Sequence, residues 1–297
     1  MKKSGFVALG LLALPILLIA PGRGGKKKLP FQGRNFAHRG LHTPDKQIPE
    51  NSLAAFSRAA DAGYGMELDV QLSRDGQVVV FHDDDLLRVC GREERVDELT
   101  WPELHALSLC GTEERIPLFS QMMELVKGRT PLIVELKSGN RNRELCRKTL
   151  ALLREYPGDV CIESFDPRIV AWFRIHAPEL LRGQLAQPPE LYKSKAPIVR
   201  YFLGYTLLNF LSRPQFIAYK IGPRPLTVRL AELLGAMRVG WTSHDPANEA
   251  GRDAVIFEFY RPETRFGPDP HDHRWTGSKN RRLHRQAPVP LCEELRN

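Results

Sequence analysis

The chain has 297 residues, of which 42% are hydrophobic, 26% charged and 8% aromatic, and its formal net charge is +8. That length and apolar content suit one large α/β barrel better than two ordinary domains. No stretch interleaves aromatic and basic residues as a single-strand binder does, which argues against a nucleic-acid partner.

The chain opens with Met1-Lys2-Lys3 and an apolar run from about 5 to 20, followed by PGRGGKKKLP. A free-standing membrane span wants about 20 apolar residues, and this run is somewhat short. A cleaved signal peptide is the rival reading. It needs a small-x-small site, and Leu18-Ile19-Ala20-Pro21 supplies no convincing one. Residues 1–22 are therefore read as a retained single-pass transmembrane anchor and 23–32 as a basic linker. Lys26, Lys27 and Lys28 suit the anionic headgroups of a lipid surface. With Arg23 they outnumber Lys2 and Lys3, which favours a cytoplasmic catalytic domain. A very short N-terminal tail, which commonly stays inside, would give the opposite face.

Within the expected domain, 33–260, a first strand at about 35–38 ends in His38-Arg39-Gly40. Pro49 to Ser52 starts a helix whose apolar face carries Leu53, Phe56 and Ala60, and Gly63 ends it. The second strand, about 65–72, alternates strictly. Met66, Leu68 and Val70 take one face, Glu67 and Asp69 the other. Two carboxylates side by side on a strand repel, so a hard divalent cation such as Mg²⁺ or Ca²⁺ is the natural group between them. Asp75-Gly76 then signals a tight turn, and the run 77–82 ends in His82-Asp83. It can be a hairpin partner of the second strand or a barrel strand of its own.

Residues 84–118 read as polar and irregular, with one short helix at about 101–107. Helices are expected at 119–126, 142–155, 167–176 and 225–237. Strands are expected at 131–137, 160–164, 181–186, 215–221, 238–242 and 254–259. In 131–137, Ile133, Glu135 and Lys137 share one face. Strand–helix alternation at this pace predicts a parallel sheet, and closed into eight units it is a TIM (β/α)₈ barrel with functional groups where the strands end. Nine candidate strands for eight places make 77–82 the extra one, a small hairpin-type insertion. The apolar segment 198–211 interrupts the rhythm, either as a buried extra helix or as a lid lying among lipid headgroups. Five prolines from Pro262 to Pro290 mark 261–297 as a disordered tail, and His271-Asp272-His273 within it reads as solvated rather than as a metal site. The five scattered cysteines (Cys90, Cys110, Cys146, Cys161, Cys292) form no CxxC pair, which argues against a disulfide framework.

The ordered set HRG, PEN, ELDV, SRDG, VVVFHD, VELK, ESF and WT resembles the glycerophosphodiester phosphodiesterase family over about 35–260. The resemblance implies the same barrel fold and hydrolysis of glycerophosphodiesters to glycerol 3-phosphate and an alcohol. It implies one divalent cation, Mg²⁺ or Ca²⁺, on Glu67, Asp69 and Glu135, with His38 and His82 as the acid–base pair. Arg39 and Lys137 would bind phosphate, and Trp241 would wall the substrate or merely cap the barrel. Glu50 either supports the site from behind or serves only as a polar helix start; Phe165 and Asp166 shape the mouth, and Lys220 is an extra phosphate candidate. Two places depart from the family pattern: Phe257-Glu258-Phe259 stands where many members carry Thr-Asp, and Arg88-Val89-Cys90 where Arg-Thr-Thr is frequent. Two rivals remain: lysophospholipase D-like cleavage of membrane lysolipids, and a catalytically silent barrel that binds phospholipid headgroups.

Overall fold

A computed structural model describes residues 17–267. Most of the expected anchor, Cys292 and the His271-Asp272-His273 triplet lie outside the described residues. The strands are β1 (Arg34–Ala37), β2 (Gly65–Leu72), β3 (Val78–Val80), β4 (Leu132–Leu136), β5 (Val160–Ser164), β6 (Leu181–Ala186), β7 (Phe216–Lys220), β8 (Met237–Ser243) and β9 (Ala254–Phe257). The helices are α1 (Leu53–Asp61), α2 (Leu87–Cys90), α3 (Trp101–His105), α4 (Phe119–Val126), α5 (Asn142–Arg154), α6 (Pro167–His176), α7 (Pro197–Gly204), α8 (Asn209–Ser212) and α9 (Leu226–Leu233).

β1 pairs in parallel with both β2 and β9, which closes eight parallel strands into a barrel. β3 is the extra strand. It runs antiparallel to β2, with Val70 opposite Val80 and Leu72 opposite Val78. Alternation then sorts the side chains into two cores. Met66, Leu68, Phe56, Phe119 and Phe173 fill the layer between sheet and helices. Phe31, Phe36, Ile133, Phe216 and Met237 fill the lumen. Each fully buried Phe contributes about 1.5–3 kcal/mol. Gly183 permits one close contact there, because the ring of Phe216 takes the space its Cβ would need.

Local signals fix the helix starts. Ser52 Oγ accepts the Ala55 N–H at 3.1 Å, a cap worth about 1 kcal/mol. Asp166 caps α6 in the same way, accepting the Arg168 N–H at 2.9 Å, with Pro167 in the first helical position.

Four expectations need correction. Residues 84–118 are not merely polar loop: Val79, Phe81, Leu86, Val89, Leu104 and Ile116 form a separate small core beside β3. The basic linker is docked rather than free. Lys27 Nζ donates to Pro178 O at 2.6 Å and Lys28 Nζ to Gly235 O, at loops following α6 and α9. Helix C-terminal ends carry negative partial charge, so lysines settle there. Ile19 is buried as well, Arg213 Nη1 donates to Ala20 O at 2.9 Å, and Phe31 closes the lumen from beneath. At the other end, residues 261–267 pack on β1 instead of trailing away: Asn35 Nδ2 donates to Glu263 O at 2.8 Å and Phe266 N to Gly33 O at 2.8 Å. Finally, the segment 198–211 is no buried helix. Only Gly204 of α7 is buried, and Ile198, Tyr201 and Phe202 are exposed. No helix among the described residues is long and apolar enough to cross a membrane.

Candidate active site

The C-terminal ends of β1, β2 and β4 bring most of the expected site residues together. Register places Asp69 opposite Glu135 and Glu135 opposite Glu163 on three adjacent strands. All point into the lumen above the apolar floor made by Phe216. Glu67, Asp69 and Glu135 can each offer an oxygen within 4.8 Å of the others. Lys137 Nζ sits 3.0 Å from Glu135 Oε1 and 3.4 Å from Asp69 Oδ1, and Arg39 Nε is 3.5 Å from Asp69 Oδ2. Four buried carboxylates, counting Glu163, thus face two cations.

The electrostatics follow from that imbalance. Burial, then the neighbouring carboxylates Asp69, Glu135 and Glu163, pushes Glu67 well above the usual carboxylate range. Burial next to Glu135 and Asp69 does the same to Glu163, whose Oε2 has no hydrogen-bond partner. Burial opposes ionisation of Asp69 too, but His82, Lys137 and Arg39 outweigh it and hold this carboxyl low. Lys137 stays charged because Glu135 and Asp69 overcome its burial. An excess of buried oxygen charge with an orphaned oxygen beside it is what a divalent cation relieves, and an all-oxygen donor set suits Mg²⁺ or Ca²⁺. The residues therefore fit such an ion.

Two tight turns hold this cluster. Arg39 and Asn51 both adopt left-handed backbone, φ 52° and 55°, at a cost of about 1–3 kcal/mol each. They secure one another, since the Asn51 N–H donates to Arg39 O at 2.9 Å. The turns aim their polar groups inward: the Arg39 N–H donates to Glu67 Oε2 at 3.1 Å, and Asn51 Nδ2 to Asp69 Oδ2 at 3.0 Å. Glu50 lies between two guanidinium groups, 2.6 Å from Arg39 Nη1 and 2.6 Å from Arg88 Nη2. Burial would raise its carboxyl, yet Arg88 and Arg39 bring it down to about 2.

The two histidines are each oriented by an acid. His38 Nδ1 is 3.2 Å from Glu258 Oε1, which leaves Nε2 facing Glu67, 3.9 Å away. Burial lowers the His38 imidazole to about 4, so it is neutral at pH 7. His82 Nδ1 is 2.5 Å from Asp83 Oδ1, and Arg88 Nε braces Asp83 at 2.6 Å. Trp241 spends its N–H on Ala218 O at 2.9 Å and stands edge-to-face with Phe165 at 5.5 Å. Lys220 lies over its ring at 5.1 Å, and Asp166 is occupied in capping α6.

Sequence reasoning did not select Glu163, Asn51, His42, Asp83 or Glu258 as parts of the site. Alternation through Val160–Ser164 turns Glu163 inward, so that signal was present; Glu258 was visible only as a departure from pattern. His42 carried no signal.

Fold and site define an eight-stranded parallel barrel with an acidic mouth bracketed by arginine, lysine and two histidines. The chain belongs to the glycerophosphoryl diester phosphodiesterase family, whose model matches residues 38–260. It is 36% identical to a glycerophosphodiester phosphodiesterase of Caldanaerobacter subterraneus over 163 residues, covering 51% of this chain and 65% of that enzyme. It is 33% identical to a lysophospholipase D of Rattus norvegicus, over 44% of each chain. The aligned part thus spans less than two thirds of either relative. Among solved structures, an Oleispira antarctica phosphodiesterase in complex with the product sn-glycerol-3-phosphate superposes with a TM-score of 0.63 at 23% identity, covering 77% of this chain and 94% of that one.

Proposed function

We propose that this chain hydrolyses glycerophosphodiesters to glycerol 3-phosphate and an alcohol, with a divalent cation on Glu67, Asp69 and Glu135. The observation that carries this reading is the meeting of those carboxylates with Arg39 and Lys137 at one barrel end. A bound cation supplies Lewis-acid stabilisation of a phosphoryl oxygen. Arg39 offers donors suited to a phosphate and Lys137 a point charge. His38 acts as the base. Its Nδ1–H is held by Glu258, so bare Nε2 can take a proton from water or from the glycerol's own adjacent hydroxyl. His82, steadied through Nδ1 by Asp83, gives a proton from Nε2 to the leaving alcohol oxygen. Trp241 and Phe165 wall the alcohol side.

The test is release of glycerol 3-phosphate from several glycerophosphodiesters, with and without EDTA, beside His38→Ala and Glu67→Gln. Activity restored by Mg²⁺ or Ca²⁺ and lowered about 10²- to 10⁴-fold in the His38 variant supports the reading. No turnover of any diester, soluble or lipid, would leave the silent headgroup-binding barrel in its place.

A second reading has its own support. A groove of about 600 Å³ runs from Ser138, next to Lys137, along Phe165, Tyr192, Val199, Leu203 and Leu211. An acyl chain of a lysolipid fits such a lining, and the relatives include a lysophospholipase D. Exposed Ile198, Tyr201 and Phe202 beside this groove would face a lipid surface on the cytoplasmic side. Each buried methylene is worth about 0.8 kcal/mol, so kcat/KM should climb with acyl length and Leu203→Asp should flatten that rise. Glycerophosphocholine turned over as fast as lysophosphatidylcholine would sink this version.

A further inference from the structure

Glu258 receives two imidazoles on one oxygen. His38 Nδ1 lies 3.2 Å and His42 Nε2 2.9 Å from its Oε1. A third imidazole, His244, has Nε2 at 4.0 Å from Oε2 and is largely exposed. Ligand atoms of His38, His42 and Glu258 all fall within 4.8 Å of one another. Ligands about 2.0 Å from a tetrahedral ion stand about 3.3 Å apart, so the two nitrogen–oxygen spacings need shifts of only a few tenths of an ångström, and the two nitrogens are within 4.8 Å of one another. The donor set differs in kind from the carboxylate cluster: two ring nitrogens and one oxygen suit a borderline ion such as Zn²⁺, where three oxygens suit a hard one. Phe259 packs edge-on against His42 at 5.0 Å and is stacked with His244 at 6.0 Å, which holds both rings beside Glu258.

We propose that His38, His42 and Glu258 form a second cation site, one for Zn²⁺ or a similar borderline ion, with His244 able to close the fourth position. Its occupancy silences the enzyme. The His38 ring bridges both sites, with Nε2 toward Glu67 and Nδ1 toward Glu258. An ion on Nδ1 takes the lone pair there, so the single proton of the neutral ring must sit on Nε2. No proton is lost or gained by the ring; it moves from Nδ1 to Nε2. His42 undergoes the opposite exchange, its proton passing from Nε2 to Nδ1. A His38 that carries its proton on Nε2 cannot accept another, so the base is removed without displacing the ion on the carboxylates. Only this consequence rests on the phosphodiesterase reading; the site itself does not.

Two measurements on the full chain separate those claims. The first is Zn²⁺ binding by equilibrium dialysis, with Co²⁺ absorption as a reporter of a nitrogen-containing tetrahedral site, in a Glu67→Gln/Glu135→Gln background that disables the carboxylate cluster. One equivalent should bind there and disappear on adding His42→Gln. The second is glycerol 3-phosphate release at saturating Mg²⁺ with added Zn²⁺. Losing even an outer partner of a bound ion costs about 10- to 100-fold in affinity, so His42→Gln should need at least about tenfold more Zn²⁺ for half-inhibition, each curve scaled to that protein's own rate without Zn²⁺. The exposed-side variant His244→Ala, which leaves the His38 and His42 rings in place, should weaken inhibition less. No Zn²⁺ bound in the disabled background would overturn the site. Equal inhibition of the wild type and His42→Gln would overturn its inhibitory role and place the inhibiting ion on the carboxylates. An enzyme without diesterase activity would remove the consequence while leaving the binding result intact.

Discussion

Arg88 grips Glu50 with both arms of its guanidinium, Nη1 to Oε2 at 2.7 Å and Nη2 to Oε1 at 2.6 Å. The pair bolts the excursion after β3 to the turn before α1, and Glu50 hands the same charge on to Arg39. Arg88, the residue of Arg88-Val89-Cys90 that keeps the family pattern, is thus part of the wall of the site.

Acid titration should expose this bracket. The Glu50 carboxyl sits at about 2 in the fold against an ordinary 4.5. A depressed folded value means the contribution is complete above 4.5 and vanishes as pH falls through 2. Counting solvent around half-exposed Arg88, it is about 2–3 kcal/mol. Urea unfolding between pH 7 and 2.5 should show Glu50→Gln less stable at neutral pH and the gap closing in acid. A constant gap would place the effect elsewhere.

Glu163 should behave in the opposite sense. Its folded value is raised, so the folded state binds more protons, and the carboxyl costs stability as pH rises above 4.5. Glu163→Gln keeps the shape and removes the charge. Thermal melts in EDTA should find it more stable than the wild type at pH 8 and equal near pH 4. A less stable variant at pH 8 would mean that the carboxylate form has a partner.

Asp83 touches no substrate in the proposed mechanism; it positions His82. Asp83→Asn should cut kcat about 10²-fold or more with KM little changed. It should also distort the pH profile of kcat, which a loss of mere packing would not do. An unchanged profile with raised KM would move Asp83 to substrate binding.

The lumen floor offers a purely steric test. Gly183→Ala drives a methyl into the Phe216 ring, and overpacking of this kind costs about 1–3 kcal/mol. The urea midpoint should drop accordingly. Gly183→Ala with Phe216→Leu should recover part of the loss; no recovery would indicate that the methyl strains backbone instead.

Much of the architecture was readable because alternation fixes faces. Once β2 and β4 were recognised as strands, Glu67, Asp69 and Glu135 had to share the lumen, and the strand ends carried His38 and Lys137 with them. The same alternation turns Glu163 inward, opposite Glu135. Other parts had no periodic signal. Leu86, Val89, Leu104 and Ile116 are spaced irregularly, so their small core arises only when the chain folds back on β3. The pairing of Glu50 with Arg88 and of Glu258 with His42 spans 38 and 216 residues, distances at which one sequence carries no pattern. The outward Ile198, Tyr201 and Phe202 misled for a further reason: apolar residues on both sides of a short helix do not say which side is covered.

The chain enters the barrel from beneath. Ile19, Lys27, Lys28 and Phe31 are seated at the closed end, opposite the carboxylates. A protein coupled to a bead through its N-terminal side would therefore present its mouth to the bulk solution, with the barrel wall, roughly 20 Å high, as a stand-off. Cutting the chain after residue 28 to obtain a shorter protein would remove the underside fastening along with any leash, whereas a cut just before Leu17 would leave that fastening in place.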